Sequence, residues 1–567
     1  MSSNETLLGG GAGEYKRMPA HHGGVAIAEV LRDAGVRTLF CLPGGHVGAV
    51  VNGCDQLGIR VITTRHESAA VHMAEAWARA TGETGIAAVT AGPGFTNAVT
   101  GIANAQATGI PVVVLGGRTP LPLRGKGAVQ DVDQETVARA VSKWTRAVLD
   151  PAEIPRSVRE ALAVARAARC GSAYLDLPTD VLTADAPAGG GAPPPRARAY
   201  ADAGAVAEAC ELLARAERPV VIAGGGAFWS GAGEALRAFA DATSIPVTTT
   251  SHARGLLPDS HPGCLGGLIH GGVGVALADV VLIVGSRFNG NLMFGRAPLW
   301  RDDHRIIAID ADPAGFALNR APDLALLGDA SVVLEQLARA WAGEPKKSWL
   351  EEAKGYAEAS LAHWSAEADA DATGVHPGAL AREVCAWTAE QGPGSTIVID
   401  GGDILGWGLS FTRCEQPGSL MFTSDALGTL GVGVPYAVAA PLARPDGPTV
   451  ALIGDGAFGF SAMEIETAAR SGTAPIIVVS NNGSWGDVRY EEGEWFGRTV
   501  GTDLTRARHD QLCIALGGHG ERVEHRQDLR PALERARASG VVSVIDVLTD
   551  PDRPNEILRN MGALNLQ

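Results

Sequence analysis

Short runs of β-branched and aliphatic residues recur along this chain, each stopping at a turn and followed by a segment of helical spacing. In residues 23–185, a helical pattern over 24–34 precedes an apolar run at 37–42 that stops at Pro43-Gly44-Gly45. A run at 60–63, a helix over 68–80 and a run at 85–90 follow. Ala91-Gly92-Pro93-Gly94 then opens another helix before a buried run at 110–115. Strands separated by helices in this way pair in parallel, with the crossover helices covering both faces of the sheet. The pattern returns with runs at 219–223, 245–249, 280–284 and 305–309, and again at 395–399, 449–453, 476–480 and 541–547. The expected fold is α/β, with three doubly wound parallel-sheet domains. A chain of 567 residues is also too long for one core. The sequence divides into a disordered tail at 1–22, a first domain at 23–185 and a Gly/Pro-rich linker at 186–200. A central domain at 201–343, a polar helical connector at 344–373, a third domain at 374–549 and a C-terminal lid or tail at 550–567 complete it.

Composition narrows the classes further. Glycine is abundant, 73 residues, but no G-x-y period accompanies it, which excludes collagen. With 47 basic and 63 acidic side chains the net charge is −16, which argues against a nucleic-acid coat but leaves room for a local basic pocket. The 8 cysteines form no CxxC pair, a usage that suits a reducing compartment better than a disulfide framework or zinc site. No apolar run reaches the roughly 18 residues of a membrane span. The first 22 residues lack the apolar core of a signal peptide, so the expected location is cytoplasmic.

The densest chemistry lies in residues 449–486. A strand runs into Gly454-Asp455-Gly456, a helix is expected from near Ser461, and a second strand ends at Asn481-Asn482. In a parallel sheet both strand ends lie on one carboxyl edge, where ligands bind at a switch point. Glycines there let backbone amides approach a diphosphate, and Asp455 and Asn482 offer the hard oxygen ligands that magnesium prefers. A Gly-Asp-Gly turn alone is ordinary turn chemistry. Its pairing with Asn-Asn across 24 residues (457–480) is the signature of thiamine-diphosphate enzymes. On this motif the chain resembles, over residues 23–547, the three-domain family of acetolactate synthase, benzaldehyde lyase, oxalyl-CoA decarboxylase and 2-hydroxyacyl-CoA lyase.

The resemblance implies that the first domain binds the aminopyrimidine of thiamine diphosphate and the third binds its diphosphate and Mg2+. Asp455, Asn482 and the Ser484 carbonyl are the implied metal ligands. Thr64-Arg65-His66-Glu67-Ser68-Ala69-Ala70 is similar to the family's R-H-E-x-A-A segment and places the pyrimidine-binding carboxylate at Glu67. A carboxyl bonded to the pyrimidine N1′ favours the imino tautomer, whose 4′-nitrogen removes the thiazolium C2 proton. Without the resemblance, Glu67 reads as a carboxylate at a helix start. Leu430 matches the apolar wedge between the two cofactor rings, where it otherwise reads as a core leucine, and Gly428 matches the carbonyl facing the pyrimidine amine. Further cofactor contacts are implied at Gly92, Asn97, Gly402, Asp403, Gly454, Gly456, Ala457 and Trp485. His46 in LPGGHV and Gln130 in GAVQDVDQ resemble a catalytic histidine and a substrate-contacting glutamine of benzaldehyde lyase. Imidazole exchanges protons near neutral pH, and an amide bonds a developing alkoxide. Family members build each site from the first domain of one subunit and the third of another, so a homodimer or homotetramer is implied.

The middle of the chain selects among these relatives. Acetolactate synthases carry an Arg-Phe-Asp-Asp-Arg segment associated with FAD, whereas this chain reads Arg287-Phe288-Asn289-Gly290-Asn291, which argues against FAD. It is closer to the R-x-N-W-x-L-H-F-G stretch of the CoA-processing members, and their G-x-x-P-D-x-H-P stretch recurs at residues 255–262. An ADP or CoA moiety is therefore expected in the central domain, with Gly225 and Gly226 serving phosphates, Arg287 a charged fork, and Asp310 and Asp329 ribose or adenine donors. Asp487 departs from the family by replacing a small apolar residue. The loop beyond it supplies Glu494 as a candidate acid/base group, with a solvated charge cluster as the plainer reading. The expected activity is cleavage of a 2-hydroxyacyl-CoA to formyl-CoA and an aldehyde or ketone. Acyloin cleavage, pyruvate condensation and a catalytically silent nucleotide-binding subunit remain open beside it.

Overall fold

The computed structural model describes residues 18–423 and 426–556. Residues 1–17 of the expected N-terminal tail and 557–567 of the expected C-terminal lid lie outside the described residues.

The first domain opens on helix α1 (Gly23–Asp33), followed by β1 (Thr38–Cys41), α2 (Gly48–Gln56), β2 (Arg60–Thr63), α3 (Glu67–Thr81), β3 (Gly85–Val89) and α4 (Pro93–Thr108). Strands β4 (Val112–Arg118), β5 (Trp144–Ala147) and β6 (Ser172–Pro178) complete a parallel sheet of order β2-β1-β3-β4-β6-β5. The order reverses direction between β1 and β3, which opens a crevice beyond their carboxyl ends.

The central sheet contains β7 (Pro219–Ala223), β8 (Val247–Thr249), β9 (Cys264–Gly267), β10 (Val280–Val284), β11 (Arg305–Asp310) and β12 (Leu324–Leu327). Helix α5 (Gly225–Ser230) leaves β7, and α6 (Ala330–Ala340) follows β12. The order β12-β11-β10-β7-β8-β9 is that of a dinucleotide-binding sheet, with its switch point between β7 and β10.

The third sheet is formed by β13 (Thr396–Asp400), β14 (Leu420–Phe422), β15 (Thr449–Gly454), β16 (Ile476–Asn481), β17 (His519–Val523) and β18 (Ser543–Leu548). Its order β14-β13-β15-β16-β18-β17 repeats the permutation of the first sheet. Helices α7 (Gly433–Ala443), α8 (Asp455–Ser461), α9 (Glu464–Ser471) and α10 (Gly486–Phe496) belong to this domain. The structure corrects one expectation here: the helix expected near Ser461 begins at Asp455 itself, directly at the end of β15. The strand ends on its glycines without an intervening loop, so the acidic side chain stands at the sheet edge.

The three sheets confirm the α/β, three-domain reading, and they are wider than the sequence runs suggested. Edge strands β9, β12 and β14 are only three or four residues long, too short to stand out as apolar runs, and β17 is largely polar and partly exposed. Interior β6 was hidden by Asp176 in its middle, a charge that the fold buries against Arg118. The Gly/Pro stretch at 186–200 forms no element but is strapped down: Glu29 accepts the Gly189 amide and Asp33 the Gly191 amide. The first and third domains share a core in which Phe40, Trp77 and Phe95 join Tyr436 and Phe458. Where α3 meets α7, the Tyr436 hydroxyl donates to Glu75 Oε2 at 3.0 Å. Among the described residues no helix is long and apolar enough to cross a membrane, and all eight cysteines are free thiols.

Candidate active site

Two crevices, one at each switch point of the first and third sheets, collect the residues singled out from the sequence. In the first domain Glu67 is the opening residue of α3, because His66 caps that helix by accepting the Ser68 amide. Its carboxylate is buried, 7% exposed, and Oε2 accepts Asn97 Nδ2 from α4 at 3.0 Å. The plainer reading, a solvated carboxylate at a helix start, does not describe it. His46 lies on the loop after β1, with Nδ1 3.3 Å from Thr90 Oγ1 at the end of β3. Partial burial holds its imidazole below the ordinary value, opposed by a hydrogen bond with Gln130. Gly92 sits at φ +60°, and a Cβ there would come within 2.8 Å of Gln130 Cα, so only glycine permits the two loops to touch.

Sequence reasoning missed the residue that holds this turn. Gln134 is fully buried, its Oε1 accepts the Gly92 amide at 2.9 Å, and its Nε2 donates to the Tyr174 hydroxyl and to Asp176. It lies four residues beyond Gln130 in QDVDQ, where its burial has no periodic signal.

In the third domain a single cavity is walled by four segments. Gly402 and Asp403 follow β13; Gly454, Asp455, Gly456 and Ala457 follow β15; Asn482, Ser484, Trp485 and Asp487 follow β16. Gly428 and Leu430 form the fourth wall. Asp455 Oδ2 accepts the Gly483 amide at 2.9 Å, and burial pushes its carboxyl up to about 6 against those hydrogen bonds. Asn482 Oδ1 accepts the Ser484 amide at 2.9 Å. The two asparagines divide the work: Asn481 is buried and donates to Asp546 at 2.8 Å and to the Ala507 carbonyl, which fixes the strand end from which Asn482 projects. The Trp485 indole lies over the start of α8, where a Cβ on Gly456 would fall 2.5 Å from the ring. Asp400, also missed, accepts the Gly431 and Gly433 amides at 3.0 and 2.7 Å and so braces the loop that carries Leu430. Asp403 is half-buried, and the water it loses pushes its carboxyl up to about 7, with Asp487 beside it adding to the rise. The main chain of Asn555 donates to Asp403 at 2.7 Å, so the described part of the C-terminal segment borders this cavity. Glu494 lies on the exposed face of α10, outside the residues lining the cavity.

A carboxylate, an amide oxygen and a main-chain carbonyl are all hard donors, as Mg2+ prefers. No group of three or more His, Cys, Asp or Glu that could hold a metal ion occurs among the described residues, so a metal here would depend on amide and main-chain oxygens as well. The glycine-lined edge and this donor set fit a magnesium diphosphate.

The central switch point forms a third pocket. Gly225 and Gly226 line one wall, Arg287 and Asp310 face them, and Arg169 and Arg196 close the side toward the first domain. The loops touch through backbone, with the Gly226 amide donating to the Gly285 carbonyl at 2.8 Å. Asp329 is not among the lining residues. It caps α6 by accepting the Ser331 amide and lies 3.4 Å from Arg196.

Comparison with known proteins matches the chain to three family profiles. Residues 21–137 match the thiamine pyrophosphate enzyme N-terminal TPP binding domain, 206–337 the central domain and 400–547 the C-terminal TPP binding domain. The chain is 36% identical over 534 residues to the acetolactate synthase large subunit IlvG of Mycobacterium tuberculosis, covering 94% of this chain and 96% of that protein. It is 32% identical over 559 residues to a 2-hydroxyacyl-CoA lyase of Arabidopsis thaliana, covering 94% and 96%. Against 2-hydroxyacyl-CoA lyase 2 of Homo sapiens the identity is 31% over 542 residues, covering 88% and 84%.

Proposed function

Since the chain belongs to the thiamine pyrophosphate enzyme family, we propose that it cleaves a 2-hydroxyacyl-CoA into formyl-CoA and an aldehyde or ketone. The observation that carries this reading is the central pocket. Its dinucleotide-type strand order, paired glycine loops, three arginines and Asp310 suit an ADP moiety of the kind CoA carries. Asn289 and Gly290 stand where the FAD-associated aspartates of acetolactate synthases are expected.

Bound thiamine diphosphate supplies a carbon nucleophile and an electron sink. Asp455, Asn482 and the Ser484 carbonyl would hold its Mg2+, and the amides beside Gly454 and Gly456 would serve its phosphates. Glu67, shielded from water and steadied by Asn97, holds a proton at the pyrimidine N1′. His46, kept neutral near pH 7 by burial, accepts the proton of the substrate 2-hydroxyl as the C1–C2 bond breaks. Gln130, bonded to His46, steadies the oxygen that becomes the carbonyl product. Glu67 and Asp455 serve different sites of a homodimer or homotetramer. Exposed apolar side chains beside each crevice, Val129 on one and Phe460 and Phe496 on the other, suit such an interface.

Formyl-CoA release from a short 2-hydroxyacyl-CoA tests the reading, and no release together with cleavage of free benzoin overturns it in favour of acyloin chemistry. Pyruvate condensation is the second reading, favoured by the identity to the mycobacterial acetolactate synthase subunit. Acetolactate formed from pyruvate by a yellow, FAD-loaded preparation establishes it instead.

A further inference from the structure

Helix α9 belongs to the third domain, yet its polar side chains are spent on the first. Glu464, its opening residue, is 1% exposed. Its Oε1 accepts the backbone amides of Arg65 at 3.0 Å and His66 at 3.1 Å, and its Oε2 accepts the Thr467 hydroxyl at 2.6 Å. One and a half turns on, Arg470 donates to the Thr63 hydroxyl at 2.5 Å and to the Thr63 carbonyl at 2.6 Å. Thr63 ends β2, Thr64 to His66 is the whole link to α3, and Glu67 is the next residue. The link has no regular structure of its own, so the direction in which α3 starts depends on what its amides are bonded to. A carboxylate gripping two successive amides is a strong, oriented restraint. Burial raises the Glu464 carboxyl, opposed by Thr467 and by the two amides it accepts. At the other end of the same helical pair, only Ala462 and Met463 separate α9 from α8, which begins at Asp455.

We propose that Glu464 is a positioning residue for Glu67: from the third domain it fixes the backbone that aims Glu67 at the cofactor's pyrimidine. The proposal rests on the reading of Glu67 as the pyrimidine-binding carboxylate. Asp455 of the same chain serves another site in the oligomer proposed above. The α8–α9 pair therefore joins the diphosphate cradle of one site to the proton-holding carboxylate of the next.

The test compares Glu464→Ala, Glu464→Gln and Glu67→Gln in the full chain. Three quantities are read: amide hydrogen exchange at Arg65 and His66 without cofactor, affinity for thiamine diphosphate with Mg2+, and deuterium exchange at C2 of the bound cofactor. Glu464→Ala is expected to speed exchange of the two amides about tenfold, keep cofactor affinity within about threefold, and slow C2 exchange about tenfold or more. Glu464→Gln keeps one acceptor oxygen and is expected to recover most of the C2 rate. A purely structural staple would move amide exchange and thermal stability alone, so loosened amides with an unchanged C2 rate overturn the proposal. Should Glu464→Ala fail to fold, Glu464→Asp, whose shorter carboxylate cannot reach both amides, takes its place: loosened amides with a slowed C2 rate support positioning, and loosened amides with an unchanged C2 rate refute it. A Glu67→Gln protein that exchanges C2 at the parent rate overturns the underlying reading of Glu67 instead.

Discussion

Asp455 and Asp403 stand at neighbouring strand ends in the third-domain crevice, and burial raises both carboxyls, to about 6 and about 7. If Asp455 holds Mg2+ as proposed, the metal competes there with a proton. Affinity for Mg2+ and thiamine diphosphate is therefore expected to fall about tenfold per pH unit once pH drops below its value, as titration calorimetry between pH 5 and 8 would record. Asp455→Ala should weaken the same binding by about 100-fold, with the fold intact. Asp403 behaves differently because its Coulombic neighbour is another acid, Asp487. Its proton is held more tightly in the folded chain than in the unfolded one. Its contribution to stability is thus complete below the ordinary aspartate value near 4 and is lost as pH rises through about 7. Asp403→Asn keeps the acceptor for the Asn555 amide and removes the buried charge. It is expected to raise the stability of the cofactor-free protein by roughly 2–4 kcal/mol at pH 8 and by little at pH 4, read as the shift in denaturant midpoint. The motif residues were legible here because their side-chain chemistry is local to the turn. Gln134, Asp400 and Asn481 were not, because each acts on a backbone amide or side chain distant in sequence.

At the scale of elements, helices cross where glycine removes the obstacle. A Cβ on Gly53 of α2 would lie 2.4 Å from the Gly24 carbonyl of α1, and one on Gly24 would lie 2.0 Å from the Ala49 carbonyl. The two backbones are in contact, so Gly53→Ala is expected to cost about 1–3 kcal/mol, measured as a lowered first unfolding transition in calorimetry. The fully buried strands β7 and β10 were visible as continuous aliphatic runs, since both faces of such a strand are covered. Edge strands β14 and β17 were not: β14 is apolar and buried but only three residues long, too short for a pattern, and β17 is largely polar and partly exposed. The start of α8 was misplaced because Gly-Asp-Gly has the composition of a loop. Its helical geometry comes from the sheet edge on which it sits.

At the scale of the whole molecule, Arg79 ties the three domains together. It leaves the last turn of α3, donates to the His252 carbonyl of the central domain and the Leu420 carbonyl of the third, and lies 4.4 Å from the Phe228 ring centroid. Arg79→Ala would remove this donor from both carbonyls and its cation from the Phe228 ring. A loss of about 3 kcal/mol is expected, detected as earlier proteolysis at the domain junctions. The proposed sharing of each site between subunits has its own test. Glu67→Gln and Asp455→Ala proteins, each inactive alone, should regain about a quarter of parent turnover after random subunit exchange, since half of the dimers then hold one intact site. No recovery after confirmed exchange would place both half-sites within one chain. What the sequence determined by itself was the α/β class, the three domains, and the motifs around Glu67, Asp455 and Asn482 that carry the resemblance to thiamine-diphosphate enzymes. Strand periodicity and turn composition are local properties that survive in a linear reading. The tertiary structure alone decided the switch-point orders, the core shared by α3 and α7, and the grip of Glu464 on the segment before Glu67. Those depend on contacts between residues up to about four hundred positions apart, whose pairing is selected by packing and leaves no local trace.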